Sequence, residues 1–306
     1  METIEYKEHL LRKWQVGGST FLAYPEVGAR LMNWYLTLPD GSTRDIIHWP
    51  QEADFSNLAH VRGGNPILFP FSGRTFDKGD IGFWRAQDGI RRPMPMHGFA
   101  RQGNFELTKS HAHGFTSTFQ PTEATLAAYP YDYEFSVTYY FSELSIGVEL
   151  ELLNREKIPI PWSAGHHFYF ALPWHEGCDR SDYQIYIPAR KAFRHASDGQ
   201  LDPVKKFPNL DTFDNPELSD RIHTSLRHRT ITFGPKDNGE AITLRIGSDK
   251  VPSPSNALVT WTEDEQSPFY CVEPWMGAPN SPEHKVGLHF VEPGKTDIFS
   301  IEISLS

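Results

Sequence analysis

The chain has 306 residues, with 29 Lys or Arg against 39 Asp or Glu, a formal charge of −10 when its 14 His are neutral. An acidic chain without a basic block is a poor fit to nucleic acid or an anionic membrane surface, because phosphate binding needs clustered positive charge. Its two cysteines, Cys178 and Cys271, exclude a disulfide framework and a four-thiolate metal site.

A hydrophobic fraction of 39% with 13% aromatics is globular in character. The first residues, METIEYKEHLLRKW, lack the apolar run of a signal peptide, and no stretch approaches the ~18–20 apolar residues that span a bilayer. The expectation is a cytoplasmic protein. The length admits two domains, but all-β chains often run this long as one, so a single domain over 1–306 is expected. Monomer and homodimer both remain open. With 24 Pro and 23 Gly, little room is left for long helices.

In chain order, the first predicted element is a modest helix near Glu8 to Trp14. Pro39-Asp40-Gly41-Ser42 then separates Arg30 to Leu38 from Thr43 to Trp49, which reads as a β-hairpin. Residues 71–96 form a long loop that holds Arg74, Arg85, Arg91 and Arg92. Strict alternation follows. Phe135, Val137, Tyr139 and Phe141 come first, then Leu144, Ile146, Val148, Leu150 and Leu152 interleave with Ser145, Gly147, Glu149 and Glu151. Short strands are expected at Tyr183 to Ile187, Arg229 to Phe233, Ala241 to Ile246 and Ala257 to Thr262. Residues 193–228 are polar and read as a second long loop, with a turn near Pro216 to Arg221. Phe299, Ile301, Ile303 and Leu305 close the chain with the same period of two. Such alternation puts one face on a core and the other in water. No 20–50-residue repeat is visible, so the predicted class is all-β, a large antiparallel β-sandwich rather than a propeller or solenoid.

Several chemistries lack support. There is no G-x-S-x-G elbow, no Walker loop and no G-x-G-x-x-G, so nucleophilic hydrolysis and nucleotide cofactors are not indicated. On a strand, His111 and His113 would face one side as a ligand pair, as in a cupin-like metal site. The nearest following carboxylate, Glu123, lies beyond Pro121, so solvated or core histidines are the preferred reading. Acid–base chemistry is better served. Met96-His97-Gly98-Phe99-Ala100-Arg101, Ser163-Ala164-Gly165-His166-His167-Phe168-Tyr169-Phe170 and Tyr270-Cys271-Val272-Glu273-Pro274-Trp275 each set a titratable group among aromatic or Gly neighbours. Partial burial there can tune a pKa for proton transfer. Glu273 stands within an apolar strand, where a carboxylate is costly to bury without a partner. Taken singly, each segment is also compatible with a structural role.

Together with Arg62-Gly63-Gly64-Asn65-Pro66-Ile67-Leu68-Phe69-Pro70, VELELLN ending at Asn154 and WTEDEQSPFYCVEPWMG, these motifs resemble the aldose 1-epimerase (galactose mutarotase) family, in order over roughly residues 60–280. The resemblance implies a large antiparallel β-sandwich that interconverts α and β anomers of a free aldose without cofactor or metal. By the same resemblance, Glu273 would be the general base at the anomeric hydroxyl, and His167 the general acid at the ring oxygen. His97 would position the sugar. Counting back from Phe170 in H-x-x-F selects His167 over its neighbour His166. Asp220 would contact sugar hydroxyls and Arg74 would face the sugar. Phe99, Trp275 and Trp84 are candidates for stacking on the pyranose. In the hexose-6-phosphate branch of the family, the equivalents of Arg62 and Arg101 help bind phosphate. With Arg91 and Arg92 they suggest a cationic rim, and an anionic hexose is the alternative to a neutral aldose. A non-catalytic carbohydrate-binding sandwich is the rival from another class. A matched acid and base, which binding alone does not need, argue against it. A metal-dependent β-barrel isomerase is a more distant one.

Overall fold

The computed structural model describes residues 1–237 and 239–306. Two large antiparallel sheets dominate. Among the described residues one has 13 strands and the other nine, with three two-stranded ribbons beside them. The alternating stretches of the sequence form the middle of the nine-stranded sheet. Tyr133–Ser142 pairs with Ser145–Asn154, which pairs in turn with Thr296–Leu305. Their buried residues, among them Phe135, Val137, Leu150 and Ile303, share one core with Trp34, Phe170 and Val272 of the 13-stranded sheet. Antiparallel pairing with one buried face is what period-two patterning specifies, because side chains leave a strand alternately to each side.

The predicted hairpin is present as Arg30–Thr37 and Thr43–Ile47. The strands expected at 183–187, 229–233, 241–246 and 257–262 occur as Tyr183–Tyr186, Thr230–Pro235, Ile242–Ile246 and Ala257–Trp261. Pro216–Leu218 is a short 3-10 turn.

The helix expected at Glu8 to Trp14 is instead the strand His9–Val16, entered through Lys7 and Glu8 with positive φ. The i, i+3 spacing of Leu11 and Trp14 imitates a helical face. The segment is ordered by pairing on both sides, with Glu2–Tyr6 and Ser19–Tyr24, and tertiary pairing outweighs a weak local preference. Trp14 is fully buried against Phe115 and Phe141.

The two presumed loops are also built from strands. Residues 71–96 contain the ribbons Phe76–Asp77 with Asp80–Ile81 and Phe83–Arg85 with Arg91–Pro93. Residues 193–228 carry most of Lys191–His195, then Leu201–Pro203, Leu210–Thr212 and Arg221–Thr224; three of these extend the large sheet past Ala257–Trp261. These strands are too short and polar to declare a period. The last of them is pinned by an ion pair between Arg221 and Asp211, both almost fully buried. Removing one partner of such a pair typically costs about 3–5 kcal/mol.

Candidate active site

The site lies on the large sheet, and strand alternation decides which residues reach it. In Phe269–Trp275 every residue is buried, yet the two sides differ. Tyr270 and Val272 join the main core between the sheets. Cys271 and Phe269 pack with Tyr169 and Trp261 on the other side, where Glu273 and Trp275 line a cavity of about 480 Å³. The double histidine splits in the same way. His166 stacks on Phe168 and on Phe299 of the nine-stranded sheet. His167 stacks on Tyr169, two residues on, with ring centroids 4.8 Å apart, and both face the cavity.

The main-chain N–H of His167 donates to the Asn65 side-chain oxygen and to the Pro66 carbonyl, both at 3.2 Å. Asn65 is fully buried, and its amide nitrogen also donates to the Tyr139 hydroxyl (2.9 Å) and to His166 Nδ1 (3.1 Å). One asparagine of the RGGNP segment therefore fixes the peptide that turns His167 outward. Behind it, the fully buried Arg30 guanidinium donates to the carbonyl of Leu58 and to those of Val61 and Gly63, which flank Arg62. Burial lowers its pKa to about 10, so it stays charged at neutral pH.

His97 enters from a turn at φ 67°, followed by Gly98 at φ 71°. A Cβ on Gly98 would lie 1.9 Å from the Phe69 carbonyl oxygen, so only glycine permits this crossing. The His97 main-chain N–H donates to the Gly73 carbonyl, and His97 Nδ1 accepts from the Gly73 N–H at 3.1 Å. That acceptor role leaves Nε2 as the protonated nitrogen of the neutral ring. The His97 and His167 ring centroids are 5.3 Å apart.

His167 Nε2 and Glu273 Oε2 are 3.5 Å apart, and both side chains are nearly withdrawn from solvent. Burial pushes the Glu273 carboxyl well above its usual range, with nearby Asp220 adding to the rise against a lowering hydrogen bond from Trp275. Burial, then His97, Arg30 and Arg101, holds the His167 imidazole well below its usual value. His97 falls to about 3 through burial beside Arg101 and Arg74. Both shifts favour the uncharged form of each group. Passing the carboxyl proton to His167 gives the ion pair without changing the proton count.

Arginines ring the cavity. Arg62 lies over the Trp261 ring at 4.9 Å and pairs with Glu263 at 3.2 Å. Arg74 and Arg101 line it with no carboxylate partner among the described residues. Arg194 also lines it, anchored by the Ser219 and Glu217 carbonyls. Asp220 takes φ 56° just before Arg221–Thr224 and lines the cavity near Arg194 and Arg74. Such a left-handed non-glycine position is tolerated by Asp and is common at binding sites.

Of the residues singled out from the sequence, eight line this cavity: His97, His167, Glu273, Arg62, Arg74, Arg101, Asp220 and Trp275. Phe99 does not. It packs in the core against Phe69 and Phe119, because the left-handed turn at His97-Gly98 sends the following residue inward. Trp84 is also core, donating its indole N–H to the Ala128 carbonyl. Arg91 and Arg92 are absent from the rim; they pair with Asp80 and Asp88 in their own ribbon region. His111 ends a strand and His113 follows in the turn, both exposed, so they do not share a strand face. Sequence reasoning overlooked Tyr169, Trp261, Arg194 and His195. Parity with His167 marks Tyr169, whereas nothing local marks Arg194.

His167, Cys271 and Glu273 bring one donor atom each within 4.8 Å of one another. An N, S, O donor set suits zinc, but Arg30 and Arg101 act on His167 and Arg62 acts on Cys271. Three guanidiniums around the trio oppose a dication.

The profile of the aldose 1-epimerase family matches residues 17–296, and the chain belongs to that family. Its relatives include Protein LacX, chromosomal, of Lactococcus lactis subsp. lactis, 28% identical over 256 residues, which span 77% of this chain and 79% of that protein. A galactose mutarotase-like protein from Clostridium acetobutylicum superposes with a TM-score of 0.80 at 18% identity, covering 100% of this chain and 98% of its own. A galactose mutarotase related enzyme from Lactobacillus acidophilus gives 0.76 at 19%, covering 97% of each. At such identities these two likenesses concern the fold. Family membership supports an enzyme of the epimerase type. Among the described residues no helix is long and apolar enough to cross a membrane.

Proposed function

We propose that the protein is an aldose 1-epimerase that interconverts the α and β anomers of an aldohexose. The observation that carries this reading is the buried His167–Glu273 pair, 3.5 Å apart, in a cavity of about 480 Å³. In the ion-pair form, Glu273 removes the proton of the anomeric hydroxyl while His167 protonates the ring oxygen. The C1–ring-oxygen bond breaks and the aldehyde forms. Both groups are then neutral, the form that burial favours. Rotation about the C1–C2 bond and closure with roles reversed gives the other anomer and restores the pair. His97 Nε2–H is a fixed donor for a sugar oxygen, and Trp275 and Trp261 offer faces for its C–H surface. Asp220 accepts from hydroxyls at the mouth.

Each member of such a pair contributes about 10²–10⁴-fold to proton transfer. His167→Ala and Glu273→Gln are each expected to lose mutarotation by that order in polarimetry of freshly dissolved α-glucose or α-galactose. Near wild-type rates in either variant would remove that residue from the mechanism.

A second reading of the substrate has its own support. Arg74 and Arg101 face the cavity and form no ion pair among the described residues, in a chain of net charge −10. Unpaired guanidiniums beside a sugar site favour a phosphorylated or otherwise anionic hexose.

A further inference from the structure

Tyr169 lies flat against the histidine of the proposed acid–base pair, yet takes no part in the proton transfers themselves. The Tyr169 and His167 rings are at 10° to each other, with centroids 4.8 Å apart. The other rings beside His167, those of His97 and Trp261, stand at 74° and 78° to it.

The surroundings hold this stack in place. The Tyr169 main-chain N–H donates to the Gly64 carbonyl at 3.0 Å, and its own carbonyl accepts from the His48 N–H at 2.8 Å. Phe269 and Trp261 pack steeply against its ring, with centroids at 4.8 and 6.3 Å. At 3% exposure the side chain cannot swing away without displacing them. Burial, with Cys271 and Glu273 adding to it against Arg30 and Arg62, raises the phenol well above its usual value. The ring is therefore neutral.

The charged form of His167 needs such a neighbour. Ring opening as proposed begins with His167 protonated, but burial, His97, Arg30 and Arg101 all oppose that charge. Glu273, at 3.5 Å, is the one carboxylate that pairs with it among the described residues. The nearby Cys271 thiol is itself pushed upward by burial and adds no charge. An aromatic face within about 6 Å attracts a cation through its quadrupole, most strongly where water is excluded. A parallel stack also fixes the imidazole plane, which keeps Nε2 directed at Glu273.

We propose that Tyr169 is a positioning residue of the reaction: its ring face sets the plane of the His167 imidazole and favours the imidazolium that opens the sugar. The proposal rests on His167 being the acid in the reading above.

Changes at position 169 separate the face of the ring from its hydroxyl and its bulk. Tyr169→Leu removes the face, and Tyr169→Phe keeps the face without the hydroxyl. Phenylalanine carrying one, two or three ring fluorines keeps the shape and weakens the quadrupole. In glucose mutarotation, kcat should fall about three- to thirtyfold in Tyr169→Leu, the range of a cation–π contact, with KM little changed. Tyr169→Phe should recover most of that loss, and kcat should then step down with each fluorine. The acid limb of the kcat profile should move to lower pH in Tyr169→Leu, by about half a unit to one and a half, because the imidazolium has lost a stabilising partner. A role in packing alone would lower kcat without moving that limb and without grading by fluorine. That result, or a Tyr169→Phe variant as impaired as Tyr169→Leu, would overturn the proposal. The imidazole nitrogen shifts of His167, followed by NMR against pH in the folded chain, read the same displacement without substrate. Shifts indifferent to the ring at position 169 would also overturn it. Failure of the enzyme reading looks different: no sugar is anomerised by the wild type, yet the His167 shifts still follow that ring.

Discussion

Replacing Glu273 by Gln should make the protein more stable while disabling it, and the gain should grow with pH. The carboxyl is 1% exposed, with one oxygen lacking a hydrogen bond, and burial drives its pKa well above the usual carboxyl value of 4.5. A group whose folded pKa is raised binds its proton more tightly in the folded chain. Its contribution is present in full below the unfolded value and is lost as pH rises toward the folded one. At full slope that loss is roughly 1.4 kcal/mol per pH unit. The glutamine side chain of Glu273→Gln has the same shape and no proton to lose. The His167 contribution is common to both proteins and cancels to first order. With an unfolding entropy of about 2.1 cal/mol/K per residue, a chain of this size shifts in Tm by roughly 1.6 °C per kcal/mol, hence roughly 2 °C per pH unit. Thermal unfolding followed by circular dichroism at pH 5, 6, 7 and 8 reads the difference directly. Parallel Tm curves, or a variant less stable than wild type at pH 7, would refute the argument that burial of this carboxyl is strained.

The same shifts predict a flat activity profile. The competent pair holds one proton, so kcat should be level through neutral pH. It should fall on the acid side only well below 6.5, where His167 takes a second proton, and on the alkaline side where Glu273 loses its own. A bell centred near an ordinary imidazole value would place the proton on a solvated histidine instead. For the arginine rim, Arg101→Ala and Arg74→Ala should weaken inhibition or turnover of glucose 6-phosphate about tenfold or more, the scale of one charge-assisted hydrogen bond, with glucose changing much less. Equal effects on both sugars, measured as KM, would assign these residues to neutral-sugar binding.

The sandwich was legible because its central strands are long and half-buried. Ser145–Asn154 alternates for ten residues, and no other element accounts for that pattern. The edges of the sheets were not. Leu201–Pro203 and Leu210–Thr212 are three-residue polar strands defined by their partners, and His9–Val16 imitates a helical face that its neighbours overrule. In the site, short motifs pointed to His97, at a glycine crossing, to Glu273, on a strand whose parity can be counted, and to His167, between two short strands. Arg194 arrives from a strand distant in sequence from the others, and no local spacing forecasts such convergence. Phe99 failed for the converse reason: adjacency to His97 suggested the cavity, but a left-handed turn reverses direction within one residue.

In the proposed mechanism His167 and Glu273 open and close an aldose ring. Exchange NMR on equilibrated glucose and galactose measures this without a starting anomer, through the transfer of saturation between the α and β anomeric protons. Exchange should rise in proportion to wild-type protein at neutral pH and fall about 10²–10⁴-fold, toward the buffer rate, in His167→Ala. Exchange no faster than buffer for these sugars and for glucose 6-phosphate would contradict the mechanism.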